Sequence, residues 1–286
     1  DVLYASSKGR SDVLLVANYH GPDDATSSDG AAASSMIVNE DCSLELADVK
    51  PHSGASLIPD RQSSSHVHSF TTAPYGEHRN EAYACDLGQD KIFSYAVQED
   101  GKLSLSSTID TIPGFGPRHA VHTPSSSATS DRPHCVYVVM ELAMAVNTYE
   151  QTECGETACL KELQSVSLVA EGQSGEGSKA AEIVMAPDGN TLYATNRGQL
   201  NTVTVFGIER DGTLTQKQQL EAPDYPRGMT LAFNGGVLLV AGQSKTEVTS
   251  FQVKADGTLE RGFSITEGLP PHPAAFMMFE GNSVLV

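Results

Sequence analysis

The sequence has no tryptophan, no long apolar run and few basic residues. Of its 286 residues, 36 are Asp or Glu and only 18 are Lys or Arg, which gives a formal net charge of −18. No apolar stretch approaches the roughly 18 residues of a membrane-spanning helix, which excludes a bilayer span. The acidic excess argues against nucleic acid or an acidic membrane surface as a partner, because both are negatively charged. An anionic substrate would need a local cluster of basic residues to attract it.

Glycine and proline are frequent, with 25 and 14 residues, and they separate short apolar segments. The clearest example is Ala181–Glu221, which reads AEIVMAP, DGN, TLYATNRG, QL, NTVTVFGIE, RDGT and LTQKQQLE. Each apolar piece has the length of a strand and is rich in Val, Ile, Thr, Tyr and Phe, whereas the gaps carry Asp, Gly or Asn, which tolerate tight turns. Such a unit predicts four antiparallel strands joined by hairpins, which is one blade of a β-propeller.

The same unit recurs along the chain. The expected second strands end at equivalent positions that are 68, 55, 55 and 46 residues apart, namely Asn18, Asp86, Glu141, Asn196 and Gly242. A loose repeat of this length is typical of a radial or solenoid array. We therefore predict an all-β, seven-bladed β-propeller with four-stranded antiparallel blades, forming a single domain over residues 1–286, in which five blades and some fragments are recognisable. The alternative is an unrelated β-sandwich with regular turns.

The beginning of the chain breaks the pattern. The segments around Tyr4 and Val16 both resemble second strands, yet they are only 12 residues apart, whereas a propeller needs about 40 residues between such strands. This spacing predicts a break or a missing segment between them. The polar stretch Gly21–Ser35 is expected to form a flexible loop in place of a tight hairpin.

The five cysteines leave the cellular compartment open between secreted and cytoplasmic. Cys154 and Cys159 lie in a polar insertion at a spacing that would allow a small disulfide loop, which would indicate an oxidising compartment, and the alternative is two free surface thiols. Cys85 and Cys135 fall within apolar strands and are expected in the core. The sequence contains no Asn-X-Ser/Thr sequon, so one sign of secretion is missing.

The way a blade folds predicts where a site would lie. The start of a first strand and the end of a second strand lie at the same end of the blade, so these positions collect around one mouth of the channel. They are His68, Asp86, Arg118, Glu141, Ala181, Arg197, Arg227 and Gln243, with His66, His119, Glu182 and His272 close in register. Such a set predicts a pocket for a small anion. The alternative is that these residues have only structural roles. The arginines would then lie at the surface, His68 would be a structural histidine, Asp86 and Asn196 would cap hairpins, and Glu141 would only pair with an Arg or His.

Four phrases carry a resemblance to a known family: HVHSFTTAP, GPRHAVHTP with VYVVMEL, ATNRG, and PRGMTLAF with LLVAGQ. From Asp12 onward the chain resembles the seven-bladed propeller lactonases, which include 6-phosphogluconolactonases and the fungal 3-carboxy-cis,cis-muconate lactonizing enzyme. The resemblance implies a catalytic set of His68, Arg118, Glu141 and Arg197. The neighbouring Arg227, His66, His119 and Gln243 are predicted to bind substrate. About two blades of the seven are not recognisable at the N-terminal side, and the strand that closes the ring is not located.

The resemblance implies two reactions. In lactone hydrolysis, water attacks the ring carbonyl, Arg118 and Arg197 hold the substrate's acid group and the developing oxyanion, and Glu141 or His68 accepts the proton. In lactone formation, a substrate carboxylate adds to a double bond. Neither needs a metal or a cofactor. We favour hydrolysis of a small anionic sugar lactone, with a muconate cyclase as the alternative. Two further hypotheses are a metal-dependent hydrolase based on His66 and His68 and a non-catalytic, secreted binding scaffold.

Overall fold

The computed structural model describes residues 2–5, 12–20, 30–73, 80–124, 132–154, 157–279 and 283–285. In this part of the chain it shows five four-stranded antiparallel sheets, a two-stranded sheet and one short helix. The elements are β1 (Val2–Ala5), β2 (Asp12–Asn18), β3 (Ala32–Val38), β4 (Leu44–Pro51), α1 (Pro59–Gln62), β5 (Val67–Thr72), β6 (Glu81–Asp86), β7 (Lys91–Val97), β8 (Leu103–Asp110), β9 (Pro117–His122), β10 (Cys135–Met140), β11 (Ala145–Cys154), β12 (Thr157–Ser167), β13 (Ser178–Met185), β14 (Thr191–Gly198), β15 (Thr202–Ile208), β16 (Leu214–Glu221), β17 (Pro226–Ala232), β18 (Val237–Gly242), β19 (Glu247–Val253), β20 (Leu259–Ile265), β21 (Met277–Phe279) and β22 (Ser283–Leu285).

Each of the five large sheets contains four consecutive strands in chain order. The first strands of neighbouring sheets lie side by side: β5 contacts β9, β9 contacts β13 and β13 contacts β17. These inner strands therefore line a common channel. The arrangement confirms the predicted all-β fold with four-stranded antiparallel blades. The described residues contain no helix that is both long and apolar enough to cross a membrane.

The second strands are the most buried strands of the second to fifth sheets. In β6 and β10 every residue is buried, and in β14 all but the last are. A strand covered on both faces by neighbouring sheets carries no polar alternation, which explains the continuous apolar run CVYVVM of β10. The outer strands, such as β8 and β20, are largely exposed. Apolar clusters fill the gaps between neighbouring sheets; Tyr83, Val136 and Val138 belong to one of them.

The turns between the third and fourth strands repeat one conformation. Asp41, Asp211 and Asp256 each accept a hydrogen bond from the backbone amide two residues later, at 3.0 Å. The intervening residue has a positive φ, and it is Gly212 (φ 85°) or Gly257 (φ 83°) in the later sheets. In the first sheet the same position holds Cys42, with a φ of 63°. The repeat pattern DG in the sequence thus marks a left-handed residue at the hairpin.

Two expectations from the sequence are wrong. Val2–Ala5 is not a second strand, because β1 pairs with β2 (Val2 opposite Val16) and takes the first position of the first sheet. The chain between these strands lies outside the described residues, so the predicted break is not tested. The second error concerns Gly21–Ser35, because Ala32–Ser35 belong to β3 and are buried. Their small side chains fit a covered strand, and this composition made the segment look like a loop; residues 21–29 lie outside the described part.

The disulfide prediction is confirmed. Cys154 and Cys159 are bonded, with their Cα atoms 5.7 Å apart. They lie near the tip of the hairpin of β11 and β12, the two longest strands of the described chain. Cys85 and Cys135 are free and buried, as expected, and Cys42 is free and exposed.

Candidate functional site

The inner strands carry irregularities at the positions of the predicted site residues. Strand pairing shifts register between Val67 and Ser69, which leaves His68 as the extra residue of β5. Equivalent shifts in β9 and β17 leave out Arg118 and Arg227. A β-bulge of this kind bends the strand and re-aims the extra side chain, and such bulges are common beside active sites. The repeated bulges thus turn side chains from several blades toward one place on the channel.

A fourth bulge lies in β13, between Ala180 and Ile183, and it frees Ala181 and Glu182 from the ladder. The carbonyl of Ala181 accepts a hydrogen bond from Arg118 Nη1 at 2.5 Å. The bulge in one blade therefore holds the arginine of the neighbouring blade.

Glu141 is the centre of a cluster of arginines. Its Oε2 accepts hydrogen bonds from Arg118 Nε at 3.0 Å and from Arg197 Nη2 at 2.8 Å. Its Oε1 accepts one from Arg61 Nη2 at 2.5 Å. Glu141 is 0 % exposed, and Arg118 and Arg197 are 2 % and 3 % exposed. Three guanidinium groups thus share one buried carboxylate.

The electrostatics of this cluster keep Glu141 ionised. Burial by itself raises the pKa of its carboxyl group, but the charges of Arg197, Arg118 and Arg61 outweigh burial, and the pKa is lowered. Burial lowers the pKa of Arg118 to about 10, against the opposing effects of Glu182 and Glu141. At neutral pH the cluster therefore carries three positive charges and one negative charge from these four residues.

Arg197 retains hydrogen-bonding capacity that the protein does not use. Its Nε and Nη1 are buried and have no hydrogen-bond partner among the described residues. Its Cζ lies 5.6 Å from the centroid of the Tyr225 ring, so an aromatic face supports the guanidinium. Buried donors are normally satisfied. Arg197 therefore has two buried donors that the described residues leave without an acceptor.

His68 lies beside this cluster. Its ring centroid is 4.8 Å from that of His119 and 5.5 Å from that of Tyr19, with edge-to-face packing in both pairs. Its Nδ1 is buried and unpartnered within the described chain. Burial, together with the positive charge of Arg118, holds the pKa of His68 well below its usual value. The ring is therefore neutral at pH 7 and has a nitrogen available to accept a proton.

Sequence reasoning missed Arg61, which lies 80 residues from Glu141 in the chain. It belongs to α1, in the connection of about 15 residues between β4 and β5, which is longer than the connections that follow the second, third and fourth sheets. Gln62 fixes this segment by donating to Leu87 O at 2.8 Å and accepting from the Ile58 amide at 3.1 Å. The only signal in the sequence was an arginine in an unusually long connection between blades.

Asp86 and His66 have mainly structural contacts. Asp86 accepts hydrogen bonds from the His66 amide at 2.9 Å and from Gln89 Nε2 at 2.8 Å, and it meets His52 Nδ1 at 2.9 Å. His66 stacks on Tyr19 with ring centroids 4.3 Å apart, and its Nδ1 lies 3.0 Å from Tyr19 O. Asp86 occupies the position of Glu141 in its own blade, but there it anchors the backbone.

Of the remaining predicted residues, Arg227 lies near the arginine cluster and Gln243 does not bond to it. Arg227 is close enough for its charge to lower the pKa of His68 and Arg197. Gln243 shows no contact with the arginine cluster in the described part of the chain; its amide donates to Tyr225 O at 3.0 Å and its carbonyl meets His272 Nδ1 at 3.2 Å. No group of three or more His, Cys, Asp or Glu side chains in the described ranges is arranged to hold a metal ion.

His119 faces a different partner. Its Nδ1 lies 2.5 Å from Oε1 of Glu182, and both side chains line a cavity of about 290 Å³ in the channel. Arg118 also lines this cavity, which therefore adjoins the arginine cluster. Apolar side chains from the inner strands and from the segment before β21 form the rest of its wall, among them Phe70, Met229 and Phe276.

Four-stranded sheets whose first strands lie side by side define a β-propeller, and a cluster of arginines surrounds Glu141 within it. The chain belongs to the family described as lactonase, 7-bladed beta-propeller, whose profile matches residues 1–268. Among curated proteins, it is similar to a probable 6-phosphogluconolactonase of Arthroderma benhamiae, with 36 % identity over 144 residues that cover 50 % of this chain and 34 % of that protein. It is also similar to a 6-phosphogluconolactonase of Enterobacter sp. strain 638, with 30 % identity over 179 residues, or 61 % of this chain and 50 % of that protein.

The matches therefore span about a third to a half of the length of these curated relatives. Among solved structures, the chain is similar to the periplasmic gluconolactonase PpgL of Pseudomonas aeruginosa, with 26 % identity and a TM-score of 0.76 over 94 % of this chain and 70 % of that one. It is also similar to a protein from Lactobacillus plantarum, with 28 % identity and a TM-score of 0.78 over 92 % and 70 % of the two chains.

Proposed function

We propose that this protein is a lactonase that hydrolyses a small anionic sugar lactone at the channel mouth. The observation that carries the proposal is the cluster of guanidinium groups around Glu141, in which Arg197 keeps two buried donors without a partner in the described chain. Membership of the lactonase family and the names of the relatives support the reaction type. The local positive charge supports an anionic substrate, because it opposes the acidic field of the whole chain.

The donors of Arg197 would bind oxygen atoms of the substrate. Charge-assisted hydrogen bonds from a guanidinium are short and strong, and its planar fork can bind two oxygens at once. In hydrolysis, water adds to the ring carbonyl and negative charge develops on the carbonyl oxygen. Fixed donors that face this oxygen stabilise the transition state more than the ground state. Arg118, held by Glu141 and Ala181, would bind the substrate beside it.

His68 is the better of the two predicted proton acceptors. Both oxygens of Glu141 already accept hydrogen bonds from guanidinium groups, so neither is open to the attacking water. His68 is neutral, and its Nδ1 has no partner in the described chain. The imidazole would take a proton from the attacking water and return it to the ring oxygen as the C–O bond breaks. The product is the open-chain hydroxy acid, and one water is consumed.

Purified protein tests the proposal. Hydrolysis of 6-phosphogluconolactone and of gluconolactone is followed by proton release, with the uncatalysed rate subtracted, and carboxymuconate is supplied in parallel. We expect turnover of the lactones, lost in Arg197→Ala and kept in Arg261→Ala, which removes an exposed arginine of β20 from the far end of the chain. Lactone formation from carboxymuconate alone would favour a cyclase. No turnover of any compound would favour a binding scaffold.

We also propose that the chain forms one propeller domain and works in an oxidising compartment. Contacts between successive inner strands and the disulfide Cys154–Cys159 support these two statements. One cooperative unfolding transition by calorimetry is the expected result for a single domain. Mass spectrometry of unreduced protein from its natural source should find both cysteines protected from alkylation. Two transitions, or free thiols, would contradict the respective statement.

A further inference from the structure

Glu182 and His119 form a polar pair that the proposed hydrolysis does not use. Their side chains meet at 2.5 Å between Glu182 Oε1 and His119 Nδ1. Glu182 lies in the bulge of β13, and its Oε1 also accepts a hydrogen bond from the Ile183 amide at 3.1 Å. The Glu182 amide donates to Thr195 Oγ1 at 3.0 Å. The carboxylate is therefore fixed by its own blade, and the imidazole comes from the neighbouring blade.

The charge state of the pair follows from its contacts. Burial raises the pKa of Glu182, but His119 and Arg118 outweigh it and the pKa is lowered, so the carboxyl group is ionised at neutral pH. Burial lowers the pKa of His119 despite the opposing effect of Glu182, so this ring is neutral. An ionised carboxylate only accepts hydrogen bonds, so His119 must donate from Nδ1 and carry its lone pair on Nε2.

Two acceptor atoms remain unused. Glu182 Oε2 and His119 Nε2 have no hydrogen-bond partner among the described side chains and backbone. The two side chains are 16 % and 20 % exposed, and both line the cavity of about 290 Å³. That volume is about ten times the share of one water in the liquid. A small ligand can therefore reach both acceptors.

The walls of the cavity show what kind of ligand would fit. Phe70, Met229 and Phe276 offer apolar surface, whereas Arg118 and Thr230 supply further polar groups. A polyhydroxylated carbon chain combines C–H faces with hydroxyl donors, so it matches apolar walls and paired acceptors together. A carboxylate does not match, because it brings no donor and meets the negative charge of Glu182.

We propose that Glu182 and His119 form a subsite that accepts hydrogen bonds from neighbouring hydroxyl groups of the substrate, and thereby selects polyhydroxylated lactones over compounds that carry a carboxylate there. The proposal rests on the proposed function for the orientation of the ligand, with its anionic end at the arginine cluster. The subsite makes Glu182 and His119 specificity-determining residues. Ser69 is not part of it as a nucleophile, because its hydroxyl donates to Arg118 O at 2.7 Å.

Three acids of equal chain length test the subsite by titration calorimetry. Gluconate carries hydroxyl groups, hexanoate carries none, and adipate has a carboxylate at its far end. We expect wild-type protein to bind gluconate most tightly. Glu182→Gln should weaken gluconate binding about tenfold or more, leave hexanoate unchanged and tighten adipate, since it removes a charged acceptor and its repulsion. His119→Phe should also weaken gluconate but not hexanoate.

The controls separate the subsite from a general loss of structure. Glu45→Gln makes the same change at an exposed position of β4 and should bind all three acids like wild type. Tighter adipate binding by Glu182→Gln cannot arise from misfolding. Equal losses for gluconate and hexanoate, or no preference for gluconate in wild type, would overturn the subsite. Selective binding of gluconate without lactone turnover would refute the proposed hydrolysis but support the subsite. Lactone turnover without selective binding of gluconate would support the hydrolysis and refute the subsite.

Discussion

At the scale of single residues, Glu141 organises the candidate site because it gathers three guanidinium groups from three separate parts of the chain. Without this carboxylate, Arg197 would lose its ion-pair partner, and Arg118 would lose one of the two carboxylates that offset its burial. Placing like charges together at low exposure is costly. The same residue that was a candidate base in the sequence therefore holds the arginines that we propose to bind the substrate.

Arg118→Lys should abolish most of the lactone turnover even though it keeps the positive charge. Arg118 donates from Nε to Glu141 and from Nη1 to Ala181, and a single ammonium group cannot reach both acceptors in that geometry. Losing one oxyanion donor typically lowers turnover by about 10²–10³-fold. The measurement is the initial rate of lactone hydrolysis, with Arg261→Lys as the matched surface control. Wild-type turnover in Arg118→Lys would place the reaction elsewhere.

Glu141→Gln should lower stability and turnover together. Breaking a buried ion pair by removing one partner costs about 3–5 kcal/mol, because the remaining charge is uncompensated. His68→Asn should behave differently: it removes the proton acceptor but no charge, so turnover should fall with little change in stability. Urea unfolding and initial rates on the same preparations provide both readouts. A stable Glu141→Gln protein with intact substrate binding and low turnover would instead identify Glu141 as the base.

At the scale of strands and turns, equivalent positions of different blades keep the same backbone conformation although their residues differ. The hairpins between third and fourth strands need a positive φ, which glycine adopts freely and other residues adopt at a cost. Gly257 provides it in the fifth sheet, and Cys42 occupies the same place in the first. The inner strands behave in the same way, because the β-bulge recurs in several blades although the residue in it differs.

Gly257→Ala and Cys42→Gly should have opposite effects on stability. A Cβ on Gly257 would lie 2.2 Å from Thr191 Oγ1, in addition to the backbone strain at φ 83°, so we expect a loss of about 1–3 kcal/mol. Cys42 is exposed with a φ of 63°, so replacement by glycine should change the free energy of unfolding by less than about 1 kcal/mol, toward greater stability. Denaturant unfolding of both variants measures this. Similar losses in the two would show that the positive φ does not govern either turn.

At the scale of the whole molecule, neighbouring blades are joined by side chains that bond to the next blade's backbone. Tyr137 and Tyr193 each donate to the carbonyl of the turn glycine in the following sheet, at 3.0 Å and 2.9 Å. Gln164 and Gln218 each make paired bonds with the backbone of Leu214 and Leu259. These contacts couple each of the two blades to the next. The buried acid Glu141 also joins the third sheet to the fourth through Arg197, and Asp86 joins the second sheet to the connection that precedes it.

Acid should unfold the protein through these two carboxylates. Burial raises the pKa of Asp86, but hydrogen bonds from His52, Ser65 and other groups outweigh it, so its pKa is lowered, as is that of Glu141. A depressed pKa in the folded state contributes stability above the unfolded value of about 4, and this stability is lost as pH falls through the folded pKa. We therefore expect thermal midpoints that change little from pH 7 to about 5 and fall steeply below about 4.5.

Asp86→Asn isolates this effect from the general charge of the chain. Acidification also relieves repulsion within a molecule of net charge −18, but that relief is almost equal in wild type and variant. The variant should be less stable at pH 7 and should lose less stability between about pH 5 and pH 3. Thermal midpoints by circular dichroism at matched salt provide the comparison. Parallel curves for the two proteins would exclude Asp86 as a source of acid sensitivity.

The sequence alone determined the architecture to a large extent. Strand length, hairpin turns and the repeat depend on residues that are close in the chain. The sequence therefore predicted β14 as a strand and the segments beside it as turns. The gathering of Arg118, Glu141 and Arg197 was also predictable, because equivalent strand ends of successive blades must meet at one mouth. Of the two errors, Val2–Ala5 was taken for a second strand because its pattern is short, and Ala32–Ser35 was taken for part of a loop because its side chains are small.

The tertiary structure alone decided which side chains complete the site and what they do. Arg61 reaches Glu141 across 80 residues, and no local pattern marks that contact. The bulges at His68, Arg118 and Arg227 depend on how neighbouring strands pair, which side-chain composition does not encode. The role of Glu141 as a counter-ion follows from burial among three guanidinium groups. This arrangement arises only when separate parts of the fold come together, because Arg61 and Arg197 reach Glu141 from outside its own sheet.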